Sequence, residues 1–376
     1  MKTTIGMMAV PRAIRRLSVR SALATTLLPL AGLLIIPVLL LILGFAPGDG
    51  LAALWRGSFG SFYALTSGTL VRATPLVLTG LSVGIAFRAG VFNIGAEGQL
   101  LAGAAVSAAV ALSGSHAVGV WGAGVLILAL VAGAAGGAVW AGIAAVLRAR
   151  FHVLEVISTI LLNFIALYLV GFLVRGPLQE PLRIYPQSPT LPAAVHLPRL
   201  MPSSRLHAGF VMALAAAFLL WWMIRNTAAG FRLRTVGANP DAARTAGEID
   251  VMRTTTNAFL MSGALAGLAG AIELTGVTFA LYENLSPGYG YTGIAVALLA
   301  RLNPIWIVVT GILFGALEAG ASAMQRDAGV PSVVVSIAEA ILIVMLVMVS
   351  RRPLELGRAV AERTTDRSRA GGESRG

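Results

Sequence analysis

Polar residues interrupt a long apolar region of the chain at residues 91–99, whose sequence is VFNIGAEGQ. Asn93, Glu97 and Gln99 bring two amides and a carboxyl into sequence that otherwise looks like a membrane span. Polar groups are costly in hydrocarbon, so these side chains are expected to face protein, a water-filled cavity or a permeating solute. Two glycines in the same stretch weaken a helix. The stretch therefore predicts an interrupted helix along a membrane pathway, with a polar loop at the membrane surface as the alternative.

A second polar pattern recurs every four positions in a later apolar run, at Glu155, Thr159 and Asn163. Residues with this spacing share one face of a helix. Such a stripe either lines the pathway or contacts a neighbouring helix. Contact with a helix is favoured for Thr159, and both interpretations stay open for Asn163.

A basic segment at residues 225–253 contains the start and stop signals of a short helix. Its residues are Asn239, Pro240, Asp241, Ala242, Ala243 and Arg244, followed three positions later by the terminal Gly247. Asparagine is favoured at the cap of a helix and proline at its first position. An acid is favoured in the first turn, and glycine is favoured at the end. The surrounding arginines predict an inner-side location. A capped helix there is a candidate for docking another protein, and a plain connecting loop is the alternative.

The composition places these motifs in a polytopic membrane protein. Of 376 residues, 57% are hydrophobic and 12% are charged, and the mean hydropathy is +0.84. Apolar runs near the length of about 20 residues that spans a bilayer predict an all-α bundle of about ten spans. The runs are residues 22–45, 63–87, one from within 91–99 to 112, 118–147, 153–174, 208–224, 255–280, the short or re-entrant 293–300, 305–323 and 333–350.

The distribution of arginine and proline predicts the organisation around the spans. A basic arm at 1–22 and a charged tail at 351–376, which is expected to be disordered, flank a membrane domain at 23–350, and both ends are expected inside. Residues 175–207 hold seven prolines and predict an irregular outer loop. Residues 226–253 form the inner loop with the short helix.

Several kinds of chemistry are excluded by residues that are missing. The chain has no cysteine, so it can form neither a disulfide nor a cysteine-ligated metal site. Its one lysine is Lys2, so it has no phosphate-binding Walker loop. The net charge of +12 comes from arginines in short loops and at both ends, which is typical of membrane orientation signals and not of nucleic-acid binding.

The two halves of the chain share one feature. Five spans in each half would give the halves inverted orientations. Glycine-flanked interruptions occur at 92–99 in the first half and at 288–304 in the second. Paired interruptions of this kind indicate a pathway near the middle of the membrane.

Three motifs together resemble a known family. They are FNIGAEGQ at 92–99, TVGANPDAAR at 235–244 and GIAVALLARLNP at 293–304. Their order and spacing are similar to those in permease subunits of bacterial ABC importers, in the ribose/branched-chain amino-acid permease superfamily. The first motif resembles the form found in nucleoside importers (the BMP-linked, simple-sugar type) and lacks the GGIDLSVG-like sequence of ribose-type relatives. The similarity covers about residues 72–350.

The resemblance implies an importer subunit in the bacterial cytoplasmic membrane, surrounded by lipid. Its partners would be a second related permease, a tandem ATPase and a substrate-binding lipoprotein, and the ATPase would use the ATP. This chain would bind no cofactor. Asn239–Gly247 would be the coupling helix, and Asn93, Glu97 and Gln99 would lie at the pathway. The solute would be a nucleoside or simple sugar, with another monosaccharide or a branched-chain amino acid as the alternative.

A transporter driven by ions is the competing interpretation. Acids inside membrane spans often carry protons. The candidates are Glu97, Glu155, Glu273, Glu318 and Glu339.

Overall fold

The computed structural model describes residues 34–114, 118–245, 249–341 and 344, with the backbone alone at 118–121. These residues form helices and irregular segments, and no strand longer than an isolated bridge occurs among them. The all-α prediction is therefore confirmed. The basic arm 1–22 and the tail 351–376 lie outside the described residues.

Helices follow one another along the described chain, and the longest irregular connection, residues 176–208, joins α6 to α7. They are α1 (34–42), α2 (Pro47–Ser58), α3 (Leu70–Arg88), α4 (Ala96–Ser113), α5 (Val118–Phe151), α6 (Glu155–Arg175), α7 (Gly209–Asn226), α8 (Ala228–Ala238), α9 (Pro240–Thr245), α10 (Val251–Glu273), α11 (Tyr289–Leu299), α12 (Pro304–Ala328) and α13 (333–341). A π-helical turn, Ala64–Thr69, leads into α3, and a second, Leu274–Thr278, continues α10.

Seven of the described helical segments are long and apolar enough to cross a membrane: Ala64–Arg88, Ala96–Ser113, Gly122–Phe151, Glu155–Arg175, Gly209–Asn226, Val251–Thr278 and Pro304–Ala328. The short eighth span is α11, whose 11 residues rise about 16 Å, roughly half of the hydrocarbon core. The first and tenth predicted spans lie partly outside the described residues. Their described parts form helix at 34–42 and at 333–341. The inverted relation of the halves stays a prediction.

The chain divides into two units, and all of the motifs lie in the unit of residues 52–329. The other unit contains α1 and α13. Within the larger unit the spans that contain α3, α4 and α10 are central, with 83%, 72% and 72% of their most apolar windows buried. The corresponding values for α5, α6 and α7 are 28%, 39% and 28%, so these helices are peripheral. They direct bulky apolar side chains outward, as helices do that meet lipid or another membrane subunit.

Glycines allow the central helices to approach closely. A β-carbon added at Gly263 would lie 2.3 Å from the carbonyl oxygen of Gly137, and one at Gly267 would lie 2.3 Å from that of Gly133. Backbone therefore meets backbone between α5 and α10. Small residues make such contacts possible in membrane bundles.

One helix within residues 226–253 was not anticipated. Only the short helix was predicted there, but α8 fills residues 228–238. The Thr227 hydroxyl accepts a hydrogen bond from the Gly230 N–H at 3.1 Å and caps it. Leu233 and Val236 bury one face of α8. This narrow apolar face is hard to recognise among the arginines of the loop.

Candidate solute pathway and docking helix

Residues 89–95 form a partly buried joint between α3 and α4. The helix ends at Arg88, and the chain turns through Gly90, whose φ of +75° favours glycine. It stays non-helical until α4 begins at Ala96. Within the joint, the Gly95 N–H donates to the Asn93 side-chain oxygen at 2.8 Å. The predicted interruption of the helix is confirmed.

Asn93 and Gln99 pair with each other inside the protein. The Asn93 amide nitrogen donates to Gln99 Oε1 at 2.9 Å, and Gln99 Nε2 donates back to Asn93 Oδ1 at 3.0 Å. Asn93 Nδ2 also donates to the hydroxyl of Ser262 on α10 at 2.8 Å, and that hydroxyl donates to the Ser82 carbonyl on α3 at 2.7 Å. Both amides are fully buried. In this conformation they hold the joint against α3 and α10.

The polar stripe of α6 faces the same joint. The Thr159 hydroxyl accepts from the Ile94 N–H at 3.3 Å. Asn163 contributes twice, since its Oδ1 accepts from the Gly98 N–H at 2.8 Å and its Nδ2 donates to the Ile94 carbonyl at 3.0 Å. The stripe thus satisfies backbone groups that the interrupted helix leaves without partners.

Glu155 continues this stripe at the first position of α6. Its carboxylate accepts from the Phe92 N–H at 3.5 Å and lies 3.7 Å from the Arg148 guanidinium. The ion pair joins the end of α5 to the start of α6 beside the joint.

Glu97 connects the joint to the second interruption. Its Oε2 accepts from the Gly290 N–H at 2.7 Å. The side chain is only 7% exposed. A β-carbon on Gly290 would lie 2.2 Å from the Glu97 backbone nitrogen, so only glycine fits there. The N-termini of α4 and α11 meet at this carboxylate, and the partial positive charge of helix N-termini favours an anion.

The start of α11 lies near the middle of the bundle. The Thr79 hydroxyl on α3 donates to the Tyr289 carbonyl at 3.0 Å, and Asn163 Nδ2 donates to the Tyr291 hydroxyl at 3.3 Å. Thr79 precedes Arg88 by nine residues, a rise of about 13 Å, or nearly half of a hydrocarbon core. The two interrupted segments therefore come together close to half the depth of a span, and α11 covers the remaining distance to the end of the spans at which α3 stops.

A further group of ionisable residues lies toward the opposite end of the spans. Glu273 ends α10 immediately before the second π-helical turn and is 5% exposed. Glu318 on α12 and Arg72 on α3 act on it electrostatically. Neither carboxylate has an ion pair or a hydrogen bond to any residue that the structure describes. π-Helical turns are frequent at functional sites. The sequence showed the acids but gave no signal that α10 and α12 bring them together.

His207 is a buried residue that sequence reasoning missed. Its Nδ1 accepts from the Gly209 N–H at 3.2 Å at the start of α7, while its Nε2 has no partner among the described residues. A β-carbon at Gly276 would lie 2.9 Å from the ring. Burial, and to a smaller extent the nearby Arg205, lowers the pKa of His207 to about 4. The ring is therefore neutral at physiological pH.

The short helix α9, the candidate for docking, begins as predicted. Asn239 Oδ1 accepts from the N–H groups of Asp241 and Ala242, each at 3.0 Å, with Pro240 at the first helical position. Ala243 is buried, whereas Asp241 and Arg244 form an exposed ion pair at 3.4 Å. The helix is described as far as Thr245, and the predicted end at Gly247 lies outside the described residues.

A close contact links the segment before α9 to the joint. A β-carbon at Gly237, three residues before α9, would lie 1.9 Å from the Arg88 carbonyl oxygen and 3.4 Å from the Ala89 carbonyl carbon. The end of α8 therefore rests directly on the backbone where α3 ends. A displacement of α9 would therefore reach residues 89–95 through this backbone contact.

Comparison with known proteins gives consistent matches. The family described as "Branched-chain amino acid transport system / permease component" matches residues 65–350. The guanosine ABC transporter permease protein NupP of Bacillus subtilis is 40% identical, with 82% of this chain and 88% of that protein covered. The glucose ABC transporter permease protein TsgB13 of Haloferax volcanii is 37% identical, with 85% of each covered. A second guanosine permease protein of Bacillus subtilis, NupQ, is 30% identical, with 66% of this chain and 78% of NupQ covered. No solved structure matches.

Proposed function

The chain belongs to the family of branched-chain amino acid transport system permease components, and on this premise we propose that it is one of two permease subunits of an ATP-driven importer for a nucleoside or simple sugar. The guanosine and glucose permeases among its relatives support these solutes. A branched-chain amino acid is the alternative. The chain is a multi-pass membrane protein, with both termini proposed on the inner side of a bacterial cytoplasmic membrane.

The second permease is proposed to be a related chain that is not identical. NupP and NupQ are two guanosine permease proteins of one organism, and both resemble this chain. The exposed apolar faces of α5, α6 and α7 offer surface for such a subunit as well as for lipid. A substrate-binding lipoprotein is proposed to deliver the solute from outside.

The pathway is proposed to pass the meeting point of the two interrupted segments. The observation that carries this proposal is the bond between Glu97 and the N-terminus of α11 near mid-membrane depth. Broken helices whose N-termini face a midplane site are typical of transporters. Glu97 and Asn163 would meet the solute as the bundle opens, while Asn93 and Gln99 would keep the joint in shape.

The driving force is proposed to enter through α9. The chain has no Walker loop of its own, so a tandem ATPase would bind the ATP. This ATPase would contact the permease at α9. The contact of Gly237 with the Arg88 carbonyl supports a route from α9 to the joint. An ATPase can shift the permease only if it binds the inward-open and outward-open states differently. Alternating access then follows as the two permeases rock against each other.

Reconstitution tests the importer directly. Proteoliposomes with the chain, its second permease, ATPase and lipoprotein are expected to take up labelled guanosine or glucose only with ATP, and unlabelled leucine should not compete. Replacing Asn239, Pro240, Asp241, Ala242, Ala243 and Arg244 together by a glycine–serine linker should abolish uptake but leave membrane insertion intact. Uptake that survives this change would show that docking does not occur at α9.

An ion-coupled transporter is the second candidate, because Glu273 and Glu318 are acids in spans without an ion pair to described residues. Such groups are expensive in a membrane and often carry protons. Uptake by whole cells distinguishes the two functions. An ATP-driven importer responds to ATP depletion, whereas a proton-coupled one responds to an uncoupler at constant ATP.

A further inference from the structure

A cavity of about 330 Å³ opens at the inner ends of the helices. It lies between the ends of α3 and α7, Arg234 of α8 and the start of α12. Its lining residues are Arg88, Trp221, Ile224, Arg225, Arg234, Asn303 and Pro304. The cavity is separate from Glu97 and the joint, and neither the importer function nor the docking of α9 explains it.

The cavity concentrates positive charge, and no acidic side chain that the structure describes pairs with it. Three of its lining residues are arginines, and none of the described lining residues is acidic. Arg88 and Arg234 lie close enough to repel each other electrostatically. Within the described residues none of the three arginines forms an ion pair, and Arg225 instead lies 5.6 Å from the centre of the Trp221 ring. Like charges gathered in one cavity are unfavourable unless an anion joins them.

The start of α12 adds to this positive field. Pro304 occupies its first turn, and Asn303 caps it by accepting from the Ile305 N–H at 3.1 Å. The N-terminus of a helix carries a partial positive charge and attracts phosphate groups. A single anion in the cavity would therefore interact with guanidinium groups of three helices and with this helix end.

The depth of the cavity matches the headgroup region of a bilayer. Arg88 and Arg225 stand at the ends of two spans and Pro304 at the start of a third. Beside them, Trp222 and Trp306 are 50% and 59% exposed. Tryptophan is enriched where membrane meets water. Apolar faces of α7 and α12 thus continue from the cavity into the membrane, where acyl chains would lie.

We propose that this cavity binds the phosphate-bearing headgroup of an anionic phospholipid from the inner leaflet. Basic pockets between spans on the cytoplasmic side suit such headgroups. The phosphodiester would lie between Arg88, Arg225 and Arg234, and the acyl chains would lie along α7 and α12. By bridging Arg88 on α3 and Arg234 on α8, the lipid removes their mutual repulsion. It holds α8, and with it α9, against the end of α3.

Lipid retention by the purified importer complex tests the proposal. The complex is delipidated in mild detergent, incubated with phosphatidylglycerol or phosphatidylcholine, and examined by native mass spectrometry. The wild type should retain phosphatidylglycerol preferentially. Each arginine near an anionic surface contributes about 1 kcal/mol, so R225Q and R234Q should each weaken retention about fivefold. The matched control is R232Q, since Arg232 is exposed on the same helix but does not line the cavity.

Equal retention by R225Q, R234Q, R232Q and the wild type would overturn the proposal. Displacement of phosphatidylglycerol by an equal concentration of inorganic phosphate would also overturn it, because the cavity would then be a site for free phosphate and not for a lipid. Release of the ATPase from R225Q without any lipid preference in the wild type would point to an acidic protein segment as the occupant, which also contradicts it. The readout needs no transport, so it stands apart from the outcome for the importer.

Discussion

The carboxylate of Glu97 accepts a hydrogen bond from the backbone N–H of Gly290 at 2.7 Å, although 193 positions separate the two residues. The bond joins the first turn of α4 to the first turn of α11. Each helix begins inside the bundle, and each would otherwise leave N–H groups without partners. The Glu97 carboxylate thus supplies an acceptor for the start of α11 at the point proposed for solute passage, while Asn163 supplies one for the Gly98 N–H of α4. A solute that attracts Glu97 would compete with α11 for it.

Substituting Glu97 tests this competition. E97A leaves the buried Gly290 N–H without a partner, and the loss of such a bond costs about 1–3 kcal/mol. We expect a lower melting temperature and loss of uptake. E97Q keeps an oxygen acceptor, so it should retain most of the stability and lose mainly uptake. The measurements are thermal unfolding and ATP-dependent uptake by the reconstituted importer.

The control for Glu97 is E283Q, since Glu283 pairs with Arg175 at a partly exposed position. Exposed pairs contribute about 0–1 kcal/mol, so this variant should behave like the wild type. If E97A takes up solute at the wild-type rate, Glu97 has no role in the pathway.

Gly237 is predicted to transmit the movement of α9. In G237A the new methyl group would lie 1.9 Å from the Arg88 carbonyl oxygen, so α8 must move away from α3. We expect at least tenfold slower uptake, which corresponds to about 1.4 kcal/mol, while the ATPase still copurifies. Uptake and ATPase retention are measured on the same preparation.

A glycine with open surroundings provides the comparison. No atom lies within 4 Å of a β-carbon added at Gly124 on α5, so G124A should leave uptake unchanged. If G237A and G124A transport equally well, the contact between α8 and α3 carries no coupling.

Local signals in the sequence predicted some of these features, and others depend on distant contacts. The cap and proline at Asn239 and Pro240 predicted the start of α9, because helix starts depend on adjacent residues. The two interruptions were recognised from glycine and polar residues near 91–99 and 288–304. That Glu97 contacts Gly290 depends on the packing of α4 against α11, which no local pattern encodes. The buried partner Ser262 was missed for the same reason, since serine in a span is common.

Asn93 and Gln99 are predicted to act as one unit. Replacing one of the two residues leaves the amide of the other buried without its hydrogen-bond partner. N93A and Q99A should therefore each destabilise the chain by about 1–3 kcal/mol. The double variant removes both partners and should cost less than the sum, with a coupling energy of about 0.5–3 kcal/mol. The coupling energy is obtained from a double-mutant cycle, in which the wild type, both single variants and the double variant are thermally unfolded in the same detergent. Strict additivity would mean that the reciprocal pair contributes nothing to the joint.

The pH dependence of stability is predicted from His207. Its pKa is about 4 in the folded chain because of burial and Arg205, against an ordinary value of about 6.5 in the unfolded chain. The unfolded state therefore binds the proton first as the pH falls. The stabilisation is fully present above pH 6.5 and is lost between pH 6.5 and 4, by about 3 kcal/mol in total. Protonation of Nδ1 would also remove the acceptor for the Gly209 N–H.

H207N measures this contribution, because asparagine offers an oxygen to the Gly209 N–H but does not titrate in this range. Melting temperatures of both proteins are recorded from pH 7.5 to 4.5. The wild type should lose stability more steeply than H207N below pH 6.5, and the two curves should run parallel above it. The exposed His152 supplies the control, since H152N should follow the wild type throughout. Parallel curves for H207N and the wild type over the whole range would show that His207 takes up its proton equally in both states, which its burial against Gly276 argues against.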